Sequence, residues 1–285
     1  VKRTFATFGL AVLLCASATA PTAQPGRSPL EVTYIANEGF LLVIPPPEIP
    51  GNVALNDNAV LIDALFRDGI SPYDVVPLDR REQVETARPP FDATLVLVSH
   101  YHADHFDPAA VARYLKHNFR AELVSSEQVA ERVAEALNDD VILRNRVHAV
   151  VGSSPESGAS LTVGGIGLHV RRISHGSGRH AEIQNLAQVV TLAGWKILHI
   201  GDADAGEAEF KRLDFKKEKL DVAFIPFWYL TDDKGAALVK RYVHPRIVVA
   251  MHIPPGELDE RTAEIRAHFP DAVIFSQPFE THTLD

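Results

Sequence analysis

The sequence predicts an α/β protein whose strands carry polar donor side chains to one edge, and three observations support this. The apolar run Thr94-Leu95-Val96-Leu97-Val98 reads as a buried strand and ends in Ser99-His100-Tyr101-His102-Ala103-Asp104-His105. Three later apolar runs, at 167–173, 196–200 and 246–250, stop just short of His175, Asp202 and His252. Helix signals lie between the strands, beginning with Asp107 as N-cap and Pro108 at the first helical position. Ligands of α/β folds sit outside the carboxyl ends of sheet strands. The convergence of four such ends therefore argues more strongly than any one residue.

The chain of 285 residues allows one large α/β domain or two small ones, and 46% hydrophobic residues suffice for a sizeable core. A formal net charge of −9 argues against a nucleic-acid phosphate footprint and against an anionic membrane surface. Residues 1–23 read as a secretory signal peptide. Lys2 and Arg3 form a basic start, Phe8 to Leu14 an apolar core, and Ala16 and Ala18 a small-x-small cleavage pattern. The apolar core is too short to span a membrane comfortably. The expectation is therefore an exported protein, periplasmic or secreted, with no stable membrane insertion after cleavage. Cys15 is the only cysteine, so the exported form would have no disulfide, thiolate ligand or cysteine nucleophile. Its chemistry must use histidine, carboxylate, hydroxyl and metal.

Residues 24–30 are expected to be a linker and 31–285 the functional domain. In order, residues 31–43 read as two strands joined at Asn37-Glu38-Gly39. A loop follows at Pro45-Pro46-Pro47, and then the short strand Ala59-Val60-Leu61-Ile62 ending in Asp63. Residues 67–90 are polar and proline-punctuated, expected to be loop with a short helix. The helix opened by Asp107 should bury Val111 and Leu115. Residues 121–124 read as a strand, and Ser125-x-x-Gln128 resembles a capping box before the apolar stripe Val129, Val133, Leu137. Gly164-Gly165 and Ala193-Gly194 mark two hairpins. Strand 222–226 leads into Phe227-Trp228-Tyr229, and a helix starts near Asp232.

Histidines in a loop are most often solvated surface residues. Here H-x-H-x-D-H fixes ligand type, spacing and a strand-end context together, and three imidazoles with a carboxylate in one turn suit a borderline-soft divalent metal. Alternate spacing lets His100 and His102 clasp one ion, while Asp104 and His105 reach a second.

This motif, followed in order by His175, Gly201-Asp202 and His252, resembles the metallo-β-lactamase fold superfamily over most of the chain from about Val32 onward. Asn37-Glu38-Gly39-Phe40-Leu41 and Leu61-Ile62-Asp63 look like that family's opening strands. Asn185-Leu186-Ala187 and the stretch from Gly194 to Asp202 look most like its ascorbate-phosphate lactonase branch, with N-acylethanolamine phospholipase D more distant. The resemblance implies a four-layer αββα sandwich with a dinuclear site on one edge. His100, His102 and His175 would bind one ion, Asp104, His105 and His252 the other, and Asp202 would bridge them. Two Zn2+ are the implied cofactors, with Mn2+ or Fe2+ as alternatives. A metal-bridged hydroxide would be the nucleophile toward an ester, lactone, amide or phosphodiester bond, with Asp104 and Asp202 as the catalytic carboxylates.

His180 rivals His175 for the first ion or lines the substrate pocket. His169 and His199 lie inside strands, where histidines more often serve the core or orient a ligand. Asp204 reads as a solvated turn residue, and Asp63 as able to orient an imidazole. Trp228 and Tyr229 are candidates for substrate contact, the Tyr229 hydroxyl for polarising a leaving group; core packing is the competing reading. A small-molecule substrate is expected, and oligomeric state is left open. A β-lactamase is the enzyme alternative, although Asp202 stands where those enzymes more often carry cysteine or serine. From another class, a non-catalytic metal-binding or sensor protein would be expected to lack ligands, and none is missing.

Overall fold

The computed structural model describes residues 27–46, 58–138, 140–150 and 158–285. The expected signal peptide and the first part of the expected linker lie outside the described residues, as does most of the loop after Pro46. The remaining residues of the expected linker, 27–30, contact the domain. Arg27 pairs with Asp221 at 2.8 Å and lies over the Trp195 ring, Trp195 Nε1 donates to the Ser28 carbonyl, and Leu30 already belongs to a strand.

Two sheets face each other. The first contains β1 (Leu30–Ala36), β2 (Gly39–Val43), β3 (Ala59–Ile62), β4 (Leu95–Leu97), β5 (Glu122–Ser126), β6 (Val147–Val150) and β13 (Thr281–Leu284), in the order β13-β1-β2-β3-β4-β5-β6. The second contains β7 (Ala159–Val163), β8 (Ile166–Arg172), β9 (Leu186–Leu192), β10 (Trp195–His199), β11 (Val222–Pro226) and β12 (Ile247–Met251), in the order β12-β11-β10-β9-β8-β7. Side chains of a strand alternate between faces, and both faces of the first sheet are apolar. Phe40, Leu42, Val60, Ile62, Leu95 and Leu97 enter the core shared with the second sheet, where Phe40 meets Phe224 at a 4.6 Å ring separation. Their neighbours Leu41, Leu61, Val96 and Val98 point the other way. There they meet α1 (Leu78–Glu85), α2 (Pro108–His117) and α3 (Glu127–Ala136) through Val84, Val111, Tyr114, Val129 and Val133. The outer side of the second sheet is covered from α5 (Glu207–Leu213), α6 (Asp233–Leu238) and α7 (Leu258–His268), by Phe210, Leu213 and Ile265 among others. A single turn, α4 (Val141–Arg144), precedes β6. This is the αββα sandwich expected. Among the described residues no helix is long and apolar enough to cross a membrane.

The local signals hold at most junctions. Asp107 caps α2 by accepting from the Ala110 N–H at 2.7 Å, and Asp232 caps α6 by accepting from Gly235 at 2.7 Å. The capping box does not form as expected. Ser126 is the N-cap of α3, while the Ser125 hydroxyl donates to the Val98 carbonyl at 2.6 Å and Gln128 bonds across to Glu182 and Gln184. One residue of register decides this, because Ser125 faces the β4 end and Ser126 is the first to leave the strand.

The connectivity brings one set of strand ends together. β3 to β6 run parallel, as do β10 to β12, and β8 shares the β10 direction because both lie antiparallel to β9 between them. The carboxyl ends of β3, β4, β8, β10 and β12 thus meet the turn between β1 and β2.

Candidate metal centre

Backbone geometry at these ends places the donors. Gly201 links β10 to Asp202 with φ at +53°, in the left-handed region, and an added Cβ would strike the Asn185 amide oxygen and Ser99. Glycine is required there. Asn37, Asp63 and His252 also adopt positive φ, at 50°, 46° and 62°. Their side chains are all buried in the cluster, whose contacts hold a backbone that free residues of these types visit less readily.

Two groups of donors share one carboxylate. His175 Nε2 lies 3.2 Å from His100 Nε2 and 3.2 Å from His102 Nδ1. Asp202 Oδ2 faces this trio, 3.8 Å from His100 and 3.6 Å from His175. Asp202 Oδ1 faces the other way, 3.2 Å from His105 Nε2 and 3.1 Å from His252 Nε2. Asp104 Oδ2 is 3.7 Å from both of those nitrogens. All seven expected ligand residues therefore converge. Of the two histidines rivalling for the trio, His175 is in it. The His180 ring stands 5.0 Å from that of His175 and 5.8 Å from that of His102, on the cleft wall.

The protonation pattern follows from the surroundings. Asp63 Oδ1 accepts from the Ser99 N–H at 2.6 Å, and Oδ2 accepts from Ser99 Oγ and from His105 Nδ1, the latter at 3.1 Å. With its proton committed to Asp63, Ser99 Oγ accepts from His100 Nδ1 at 3.0 Å. One buried carboxylate thus fixes the Nδ1 contacts of His100 and His105 and turns Nε2 of both rings toward the cluster. Asn37 Nδ2 donates to Asp104 Oδ2 at 3.2 Å and holds that carboxylate in place. Burial, reinforced by neighbouring imidazoles, pushes the trio toward its neutral form: His100 well below the ordinary value, His102 to about 4, and His175 down. For His105 burial opposes charge, but Asp202, Asp63 and Asp104 outweigh it and hold the ring's pKa high. For Asp202 burial opposes ionisation, yet His252 and His105 keep its pKa well below the carboxylate range.

These residues fit a divalent metal. Imidazole nitrogens 3.2 Å apart, with lone pairs turned on one another, repel unless a cation or proton lies between. Asp104 Oδ1, Asp202 Oδ1 and His105 Nε2 are buried without a hydrogen-bond partner, although Asp202 Oδ1 and His105 Nε2 are 3.2 Å apart and so close but misaligned. Unpartnered polar atoms gathered at one point are what a cation satisfies. Donor atoms of His100, His102, His175 and Asp202 lie within 4.8 Å of one another, as do those of Asp104, His105 and His252.

A cleft of about 550 Å³ opens over the cluster, lined by Ile70, Tyr73, Tyr101, Arg179, His180, Ile183 and Trp228 besides the donors. Trp228 lines this cleft, its ring 5.3 Å from that of His252. Tyr229 is a correction. Its buried hydroxyl accepts from the Ala205 N–H at 2.7 Å and donates to the Ala205 carbonyl at 3.1 Å, so it is spent on the backbone and is absent from the cleft lining. His199 is buried and bonds the Glu38 carbonyl, and His169 pairs with Glu218 far from the cluster. Asp204 is exposed. Among the residues of the site that carried no role in the sequence reading, three stand nearest its chemistry. Tyr73, its ring 3.9 Å from that of His252, comes from the irregular 67–90 segment. Arg179 follows the His175 loop. Glu38, wholly buried with both carboxylate oxygens unpartnered, is held above the carboxylate range by burial and the Asp202 charge.

The fold and this paired donor cluster define a metallo-β-lactamase-fold protein, and the chain belongs to the beta-lactamase superfamily, whose domain model matches residues 54–252. Solved structures agree on the fold. Igni18, a metallo hydrolase from Ignicoccus hospitalis, is 17% identical with a TM-score of 0.56 over 90% of this chain and 99% of that one. YhfI from Bacillus subtilis, a metallo-beta-lactamase fold protein, is 15% identical with a TM-score of 0.59 over 90% and 100%. Zn(2+)-bound PqqB from Methylobacterium extorquens is 13% identical with a TM-score of 0.52 over 90% and 99%. No curated protein sequence matches, and none of these likenesses singles out the ascorbate-phosphate lactonase branch.

Proposed function

We propose that this chain is an exported, zinc-dependent hydrolase that cleaves an ester, lactone, amide or phosphodiester bond of a small molecule held in the cleft. The observation that carries the reading is the orientation of Asp202, whose two oxygens each face a separate set of imidazoles. When bound, two zinc ions would supply Lewis acidity and an acidified water at neutral pH. His100, His102 and His175 would hold one, Asp104, His105 and His252 the other, and Asp202 both. Mn2+ and Fe2+ suit the same oxygen and imidazole donors. Asp63 keeps His100 and His105 in their metal-binding tautomers, Asn37 orients Asp104, and the walls formed by Tyr73, Tyr101, Ile183 and Trp228 shield the reacting bond from bulk water. The acidity of the chain and the size of the cleft support a small-molecule substrate over nucleic acid. Export rests on Lys2, Arg3 and the apolar core after them.

The test is a substrate screen on zinc-loaded protein, with phosphodiesters, lactones, acyl amides and β-lactams side by side. Asp202→Asn and His102→Ala are expected to lose turnover at least 100-fold while remaining folded, with fewer zinc ions per chain. Full activity in either variant, or activity indifferent to exhaustive chelation, would refute the assignment. Efficient β-lactam hydrolysis alone would reassign the substrate. Mass measurement of the protein recovered from the cell exterior tests export; an uncleaved, intracellular product would contradict it.

A further inference from the structure

Among the described residues, Arg179 is the one permanently cationic side chain lining the cleft. It sits in the short turn Gly178–His180, a few residues after His175 leaves the donor cluster. Its Nε donates to His180 Nε2 at 2.9 Å, and the His180 ring is in turn 5.0 Å from that of His175. The side chain is exposed, and this contact to its chain neighbour sets it one imidazole away from the trio. Among the described residues it has no carboxylate or carbonyl partner. Arg67, Arg113, Arg171 and Arg261, by contrast, each pair with a carboxylate. Asp104 and Asp202 line the same cleft, but both are turned on the imidazoles. With Nε engaged, the two terminal nitrogens remain as a planar fork of N–H donors, the geometry that matches an oxyanion bidentately. The cleft is also lined by Ile70, Tyr73, Tyr101, Ile183 and Trp228, which give it apolar and aromatic surface.

We propose that the substrate carries an oxyanion, a carboxylate or a phosphate monoester, on an apolar or aromatic body, and that Arg179 is the residue that selects it. This deepens the hydrolase reading and rests on it. The oxyanion lies a few bonds from the bond that is cleaved, because only the His180 ring separates Arg179 from His175. His180 acts as a positioning residue, holding the fork at a fixed angle.

The test measures equilibrium binding to the zinc-loaded protein by calorimetry, using 4-phenylbutyrate, 3-phenylpropyl phosphate and the neutral 4-phenylbutyramide. At least one anion is expected to bind about tenfold or more tightly than the amide; the tighter of the two identifies the oxyanion class. Arg179→Met should abolish that preference without changing amide affinity, zinc content or the far-UV spectrum, and Arg179→Lys should restore only part of it. His180→Ala should weaken the preference without abolishing it. Equal affinities for all three compounds, or a preference that survives in Arg179→Met, would overturn the inference, the latter because the anion would then be held by the metals. Loss of metal-dependent hydrolysis in the screen above would defeat the hydrolase reading while these affinities stood. Intact hydrolysis with no anion preference would defeat only the role of Arg179.

Discussion

Replacing Asp63 by asparagine alters no group that faces the cleft, yet it should weaken both halves of the metal centre. Asp63 is 1% exposed and accepts three hydrogen bonds, from the Ser99 N–H, Ser99 Oγ and His105 Nδ1. An asparagine oxygen can keep the first. Its amide N–H2 must then face Ser99 Oγ and His105 Nδ1, turning both into acceptors. His105 responds by carrying its proton on Nε2, the atom that points at Asp202 and Asp104. Ser99 Oγ, now accepting from the amide, donates to His100 Nδ1 and sends the His100 proton to Nε2 as well. One exchange of oxygen for N–H2 thus blocks a lone pair in each group of donors. Loss of such outer partners costs about 10–100-fold in metal affinity, or about 1.4–2.8 kcal/mol per ion. The assay is zinc competition against a chromophoric chelator, followed ion by ion, with thermal melting of the chelated protein as the control for folding. Asp63→Ala supplies the contrast. It leaves the Ser99 N–H unsatisfied in the interior, at about 1–3 kcal/mol, but gives no donor that forces the wrong tautomer. Asp63→Asn should therefore bind zinc more weakly than Asp63→Ala although it folds better. Wild-type affinity at both sites in Asp63→Asn would refute the tautomer argument.

Two further outcomes follow from groups whose environment is equally defined. The His102 pKa is depressed from 6.5 to about 4, first by burial and then by His175, so the unfolded chain takes up this proton at higher pH than the native one. The stability it contributes is complete above 6.5 and lost as pH falls toward 4. His105, raised by Asp202 and Asp63, runs oppositely, its contribution present at low pH and lost as pH rises. Urea unfolding of chelated protein at pH 7.5 and pH 5 should show an acid loss that is smaller in His102→Gln; no difference between the two proteins would contradict the assignment. Tyr229→Phe removes the hydroxyl that bridges Ala205 N–H and carbonyl in a buried setting. It should cost about 1–3 kcal/mol of stability while kcat changes less than about twofold, read by urea midpoints and initial rates; a large kcat loss at unchanged stability would return Tyr229 to the chemistry.

What could be read from the sequence was what local pattern determines. Strands β1 to β5 and β8 to β12 carry apolar runs bounded by turns, because each is buried on at least one face, and Gly164-Gly165 marks β7 through its hairpin. The elements left unread lack that contrast. In α7 only Ile265 is buried, so no apolar stripe marks it, and β13 is an edge strand with polar, exposed Thr281 and Thr283. Within the site the same division holds. His100, His102, Asp104, His105, His175, Asp202 and His252 are legible because each lies at or just after a strand end. Tyr229 misled because an aromatic in a post-strand turn can face either the cleft or the core, and here the Ala205 backbone claims its hydroxyl.

Glu38 marks where sequence reading stops. Asn37-Glu38-Gly39 is hairpin text, which ordinarily leaves its middle residue solvated, yet Glu38 is 0% exposed. The reason lies 161 residues away, where His199 in β10 donates to the Glu38 carbonyl and packs the other sheet over the turn. Its carboxylate is thereby carried in behind His105, with Oε2 3.7 Å from Nδ1, and its oxygens share the donor cluster with His105 and Asp202. A hairpin turn at the opening of the chain becomes part of the floor of the metal centre only because the second sheet closes on it. No window of sequence contains that closure.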